Sequence, residues 1–113
     1  MSEGMGMNEF AGTLKERVRI ERPVDLRTES GLQQAGWEPV VNCLAAIVAE
    51  GAGPEAEAMA LSAMPRFRVT IRWRQGIAVG QRLIWGKRVM LVKQRIDDPT
   101  LPDRILLRCE EVR

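Results

Sequence analysis

Polar and apolar residues alternate most strictly over residues 66–74, RFRVTIRWR. Phe67, Val69, Ile71 and Trp73 fall on one side of an extended strand, and Arg66, Arg68, Thr70, Arg72 and Arg74 fall on the other, because successive side chains point to opposite faces. The pattern predicts a half-buried strand. One face packs on a core and the other meets water, a carboxylate-rich partner or a polyanion. Nearer the start, Leu14, Val18 and Ile20 alternate with Lys15, Arg17, Arg19 and Glu21, which predicts a first strand ending at Pro23, with Glu16 breaking its apolar face. Residues 24–36 are polar, carry Gly31 and Gly36 and show no clear period, so they read as a long connection or as the tip of a protruding hairpin.

Residues 37–50, WEPVVNCLAAIVAE, form a nearly continuous apolar run. Val40, Val41, Ile47 and Val48 favour a strand covered on both faces, and a buried helix with Pro39 in its first turn is the competing reading. Gly51 and Gly53 then break the run. In PEAEAMALSAM, Pro54 suits a first helical position, Glu55 and Glu57 suit the positive end of a helix dipole, and Ala56, Ala58, Met59, Ala60 and Leu61 are strong helix formers. Pro65 stops that segment. Alone in water so short a helix is marginal, so it needs a docking surface.

Beyond residue 74, Gln75-Gly76 and Gly80 supply turns, Gly86 marks a tight hairpin between residues 81–85 and 87–96, and DDPTLPD at 97–103 is loop chemistry. The last run places Ile105, Leu107 and Cys109 on one face and Leu106, Arg108 and Glu110 on the other. These strands, joined by turns rich in Gly and Pro, predict a mainly β fold: a small antiparallel β-barrel or sandwich, with one short helix or long loop inserted between strands 2 and 3. Closure would remove the sheet edges that such apolar strands expose. Residues 1–12, with Gly4, Gly6 and Gly12, read as a flexible N-terminal arm, and residues 13–113 as a single domain.

Composition narrows the chemistry. At 113 residues, with 45% hydrophobic and 28% charged residues, the chain suits one globular domain. The net charge of +2 does not mark a general nucleic-acid binder, and the absence of Tyr weakens a stacking platform for single strands. The chain has no His, so imidazole base chemistry, a His-based triad and a His-bound zinc are excluded. Cys43 and Cys109 lie in apolar runs without ligand spacing and read as buried free thiols, although a staple between facing strands is compatible with their positions. Asp97 and Asp98 suit turn capping better than a metal. We find no catalytic group, no cofactor cradle and no metal set, and an enzyme is the weakest class. Residues 1–10 show neither a basic nor an apolar signal region and no apolar run reaches about 20 residues, so a protein made in the cytoplasm, without a membrane role, is expected. The arginine face would be solvated and paired with Glu16, Glu21, Glu110 and Glu111, or would contact a neighbouring subunit's acidic edge or DNA phosphates.

The order of LKERVRIERP, then Gly36-Trp37-Glu38-Pro39-Val40 leading to Ala46-Ile47, the Glu-Ala segment 55–60, RFRVTIRWRQGI, the RLIWGKRVMLV hairpin and the closing RILLRCEE resembles the phage head-tail joining family, the head-closure or stopper proteins, with versions in gene transfer agents and prophages. The resemblance runs from about residue 13 to residue 112. It implies a β-barrel that assembles as a homo-oligomeric ring of about six or about twelve subunits. The implied partners are the portal and adaptor ring, a tail terminator or tail tube protein, and packaged DNA in the lumen. The implied location is the bacterial host cytoplasm during assembly and then the virion or gene transfer agent particle. By the same analogy residues 51–64, with Gly51, Gly53, Glu55, Glu57, Met59 and Met64, are a candidate gating or assembly segment. Arg66, Arg68, Arg72 and Arg74 become candidate contacts with a subunit or with channel DNA. A free-standing DNA-binding or protein-interaction barrel is the alternative, and a metal-dependent enzyme the last.

Overall fold

The computed structural model describes residues 10–27, 31, 33–51 and 64–112. Six strands carry the fold: β1 (Glu16–Arg27), β2 (Gln33–Ala49), β3 (Arg66–Arg72), β4 (Arg82–Trp85), β5 (Arg88–Ile96) and β6 (Arg104–Val112). All ladders are antiparallel, and the order β1-β2-β3-β6-β5-β4 closes into a barrel where Arg19–Glu21 of β1 meets Arg82–Ile84 of β4. The expected β architecture is therefore the closed form, in which each strand has a neighbour on both sides along its barrel portion.

The interior follows the sequence alternation. Val18 and Ile20 of β1, Ala45 of β2, Phe67, Val69 and Ile71 of β3, Leu83 of β4, Met90 and Val92 of β5, and Ile105, Leu107 and Cys109 of β6 share one core. Most of them are fully buried, and each large side chain so placed contributes about 1.5–3 kcal/mol of transfer free energy. Phe67 and Trp85 meet edge to face with ring centroids 5.9 Å apart. Residues 73–81 carry the chain across one mouth of the barrel from β3 to β4, and Ile77 plugs it at 3% exposure. The buried Gln81 holds this crossing: its Oε1 accepts the Ala78 N–H at 3.1 Å and its Nε2 donates to the Gly76 carbonyl at 2.6 Å. Gly86 has φ +58° while Lys87 has negative φ, the combination of a type II′ hairpin between β4 and β5.

β1 and β2 are longer than the barrel needs. Their mutual ladder runs from Glu16↔Ala45 to Arg27↔Gln33, yet β4 leaves β1 after Glu21 and β3 pairs β2 only over Ala45–Ala49. The outer part is a two-stranded ribbon extending about 20 Å, six residues at about 3.3 Å each. Of the residues read as a long connection or a hairpin tip, 24–27 and 33–36 are the strands of this ribbon and 28–30 and 32 lie outside the described residues, and the first strand does not end at Pro23. Proline has no N–H to donate, so it is tolerated where its nitrogen faces no ladder. Pro23 follows the last β4-paired residue by two and ends that pairing, not the strand. Opposite it, the register slips between Ile20 and Glu21, leaving Val40 as an extra residue beside Pro39. That bulge marks where barrel becomes ribbon.

Two other expectations are corrected. The apolar run 37–50 is strand throughout its length to Ala49, so the helix alternative fails, and it is not covered on both faces: Leu44 and Val48 point outward, 47% and 55% exposed. Trp73 does not join the core. The ladder with β6 ends at Arg72↔Arg104, the chain turns across the mouth, and Trp73 stays 48% exposed with its N–H on the Asp103 carbonyl at 2.8 Å. Of the segment expected to form a helix or loop between β2 and β3, only its ends, Gly51 and Met64, are described; Gly53, Glu55, Glu57 and Met59 lie outside the described residues. Residues 1–9 of the N-terminal arm lie outside them too, while residues 10–13 form one turn of helix with Phe10 buried.

Candidate assembly surfaces

The arginine face is built by β3 and its neighbours. Arg66, Arg68 and Arg72 are exposed on the outer wall in the alternation expected of them. Arg74 lies past the strand end, half-buried against Cys43, and so is not brought together with the other three. In register, Arg68 stands opposite Arg108 and Arg72 opposite Arg104 of β6, while Arg66 stands opposite Glu110. Like charges directly opposed across a ladder repel, so something must offset them. For Arg68 and Arg108 it is Glu50, at the end of β2: its Oε1 lies 4.0 Å from Arg68 Nε and 3.5 Å from Arg108 Nε. That oxygen is buried yet accepts no hydrogen bond among the described residues. Arg104 is engaged instead by Asp103 at 2.9 Å and stacks its guanidinium on the Phe10 ring at 3.7 Å.

The carboxylates expected to face these arginines mostly serve elsewhere. β3 lies between β2 and β6, so residues of β1 cannot reach it. Glu16 accepts the Trp85 indole N–H at 3.1 Å, and Glu111 pairs with Arg88 at 2.8 Å. Glu50 does not figure in the alternation of 66–74; its position at the end of the neighbouring strand becomes visible only once β2 and β3 are paired.

A second surface is the outer wall of β1 and β2. Leu44 is exposed there beside a groove of about 410 Å³ whose lining includes Arg17, Arg19, Asn42 and Ile84. Val48 stands opposite Arg68 in register, so an apolar row on β2 adjoins the basic row on β3. Two exposed apolar side chains on β2 beside fixed charges make this wall a candidate surface for a partner.

A third cluster anchors the ribbon. Glu21 is buried at 6% exposure, with Arg82 Nε at 2.6 Å and Arg19 Nε at 3.0 Å on its two oxygens. Arg82 in turn lies 4.5 Å over the Trp37 ring. Strand β1 supplies the carboxylate, β4 the cation and β2 the aromatic platform, so all three strands are tied at the height where the barrel ends. Arg22 and Glu38, cross-strand neighbours on the other face of the ribbon, form a further ion pair.

Both cysteines are free; Cys109 is buried and Cys43 half-buried. Burial, with a smaller push from the Glu50 charge, raises the Cys109 thiol to about 12. Burial also raises Cys43, against the opposing pull of Arg74. Among the described residues no three metal-ligating side chains gather. Asp97 and Asp98 hold the β5–β6 loop: Arg95 grips Asp97 through two bonds at 2.9 and 3.0 Å, and Asp98 accepts the Thr100 hydroxyl at 2.7 Å and the Thr100 N–H at 2.8 Å, contacts that keep both carboxyls below their usual range.

These features define a small all-β assembly module, a closed barrel with a projecting ribbon and charged and apolar patches on its wall. Residues 11–112 match the profile of the phage head completion proteins, and the chain belongs to that family. Its fold is shared with solved structures, among them these two. Protein SF1141 from Shigella flexneri 2a is 22% identical, with a TM-score of 0.66 over 88% of this chain and 94% of that one. A chain of the virion of a native gene transfer agent particle is 17% identical, with a TM-score of 0.62 over 88% of this chain and 96% of that one. No curated protein matches in sequence. Family membership gives the chain a structural head-completion role in a phage-type particle, among other head and tail proteins.

Proposed function

We propose that the protein forms a ring at the head-tail interface, below the portal and adaptor, where it closes the DNA-filled head and docks the tail. The observation that carries this reading is the barrel's outer wall, where exposed Val48 stands opposite Arg68 in the basic row Arg66, Arg68 and Arg108 and exposed Leu44 lies further along the same strand. A monomer gains nothing from exposing that combination, whereas a ring joined head to tail needs two unlike, complementary surfaces on each subunit. In this reading Arg66, Arg68 and Arg72 contact the neighbouring subunit or the DNA in the lumen. Residues 51–64 leave and re-enter the barrel beside the Glu50, Arg68 and Arg108 cluster, and they order on assembly. Amide exchange that is unchanged across 51–64 between free and assembled protein would remove that last element.

The test of the whole is a particle-producing strain that lacks this chain. Filled heads without tails, losing their DNA, are the expected outcome. Complete, tailed, stable particles would refute the role.

A further inference from the structure

The ribbon carries two sheet edges that the barrel leaves unpaired. Beyond Glu21, β1 has no partner but β2, and between Gln33 and Leu44, β2 has no partner but β1 among the described residues. Pro23 fixes the phase of these edges. Its nitrogen faces away from β2, so in the alternation of an antiparallel ladder the main-chain groups of Asp25 and Arg27 face the same way, and those of Trp37, Ala35 and Gln33, their direct partners, face out on the opposite edge. The β2 edge over residues 33–37, QQAGW, bears neither charge nor proline, the devices by which edges are normally kept from pairing, whereas the β1 edge over 23–27 bears Pro23, Asp25 and Arg27, which oppose its pairing with its own kind.

We infer that this ribbon is a subunit joint: the β2 edge of one copy, residues 33–37, pairs antiparallel with the β1 edge of the next, residues 23–27. This rests on the ring reading above and names its joint. A second copy is the fitting occupant because it offers the missing half: an edge of equal length, of opposite strand sense when the ribbons point the same way, bounded by Pro23 as its counterpart is bounded two residues nearer the barrel by Pro39 and the Val40 bulge. Such a contact is heterologous, so repeating it around an axis consumes every ribbon edge and closes a second, inter-subunit sheet. The Glu21, Arg82 and Trp37 cluster presets the angle at which each ribbon leaves its barrel, which lowers the ordering cost of the pairing.

Amide exchange on wild-type protein, free and in isolated particles, tests the joint. The amides of Asp25, Arg27, Gln33 and Ala35 exchange freely in the monomer and slow by at least about tenfold in the assembly. A ring whose ribbon amides still exchange freely overturns the joint and leaves the ring standing; particles that contain no ring of this chain overturn both. Ala35→Pro removes one outward N–H without touching the ribbon's own ladder. It is expected to leave the thermal midpoint of the monomer unchanged and to reduce incorporation into particles at least about tenfold. Incorporation equal to wild type contradicts the proposal.

Discussion

Barrel and ribbon share two strands yet are held by different physics. In the barrel, β1 and β2 have partners on both sides and close over side chains such as Ile20, Ile71, Leu83, Met90, Ile105 and Leu107, all fully buried. In the ribbon the same strands have, among the described residues, one ladder and no part in the core cluster, with a tether of buried charge and aromatic at the root. An isolated two-stranded hairpin is marginal in water. The barrel is therefore the stable platform, and the ribbon is the part expected to open at the lower free energy.

The sharpest break with this division would be a ribbon substitution that unfolds the barrel, or a core substitution that does not. Leu107→Ala, at a fully buried position, is expected to cost about 2–5 kcal/mol in a urea melt and to destabilise every strand together. Alkaline pH acts on the same core through Cys109. Burial pushes its folded thiol up to about 12 against 9.0 for a thiol in water, so above pH 9 the folded state keeps a proton that the unfolded chain has lost. Stability is then complete below about pH 9 and falls as pH rises toward about 12, which a pH series of thermal melts would show; a Cys109→Ala variant should flatten that fall. At the junction, Glu21→Ala removes a buried carboxylate from two arginines, with an expected loss of about 1–3 kcal/mol and faster exchange in the ribbon than in β5 and β6. Trp37→Ala should loosen the ribbon by about 0.5–2 kcal/mol, read as local exchange with the global midpoint nearly unmoved. Smallest in stability is charge reversal at Arg72, within about 0.5 kcal/mol of wild type, while reversal at Arg68 sets a second carboxylate beside Glu50 and costs more. The consequence of either is in assembly: loss of the ring points to the subunit interface, and intact particles that leak DNA point to the channel.

How much of this was legible beforehand follows the same division. Alternation in 66–72 and 104–109 specified which side chains face the core, because a closed barrel buries one face of each strand and period two reports that directly. Trp73 broke the pattern because the ladder ended one residue earlier, a limit set by the partner strand β6. The apolar row 37–50 looked doubly covered because the sequence does not distinguish burial inside this chain from an apolar outer face left for another. The roles of Glu21 and Glu50 required strand order: each is a carboxylate whose cationic partner is remote in sequence, with Glu21 and Arg82 separated by 61 positions. Pro23 carried more than a stop signal, since its missing N–H ends one ladder while leaving the other intact.

The central claim, that this head completion protein works as a ring, meets its most direct test in electron microscopy of the protein bound to its portal and adaptor. A closed ring stacked coaxially on that complex, with barrels outward-connected through their ribbons, is the result the account expects. Single copies scattered on the complex, or no binding to it, would contradict the account.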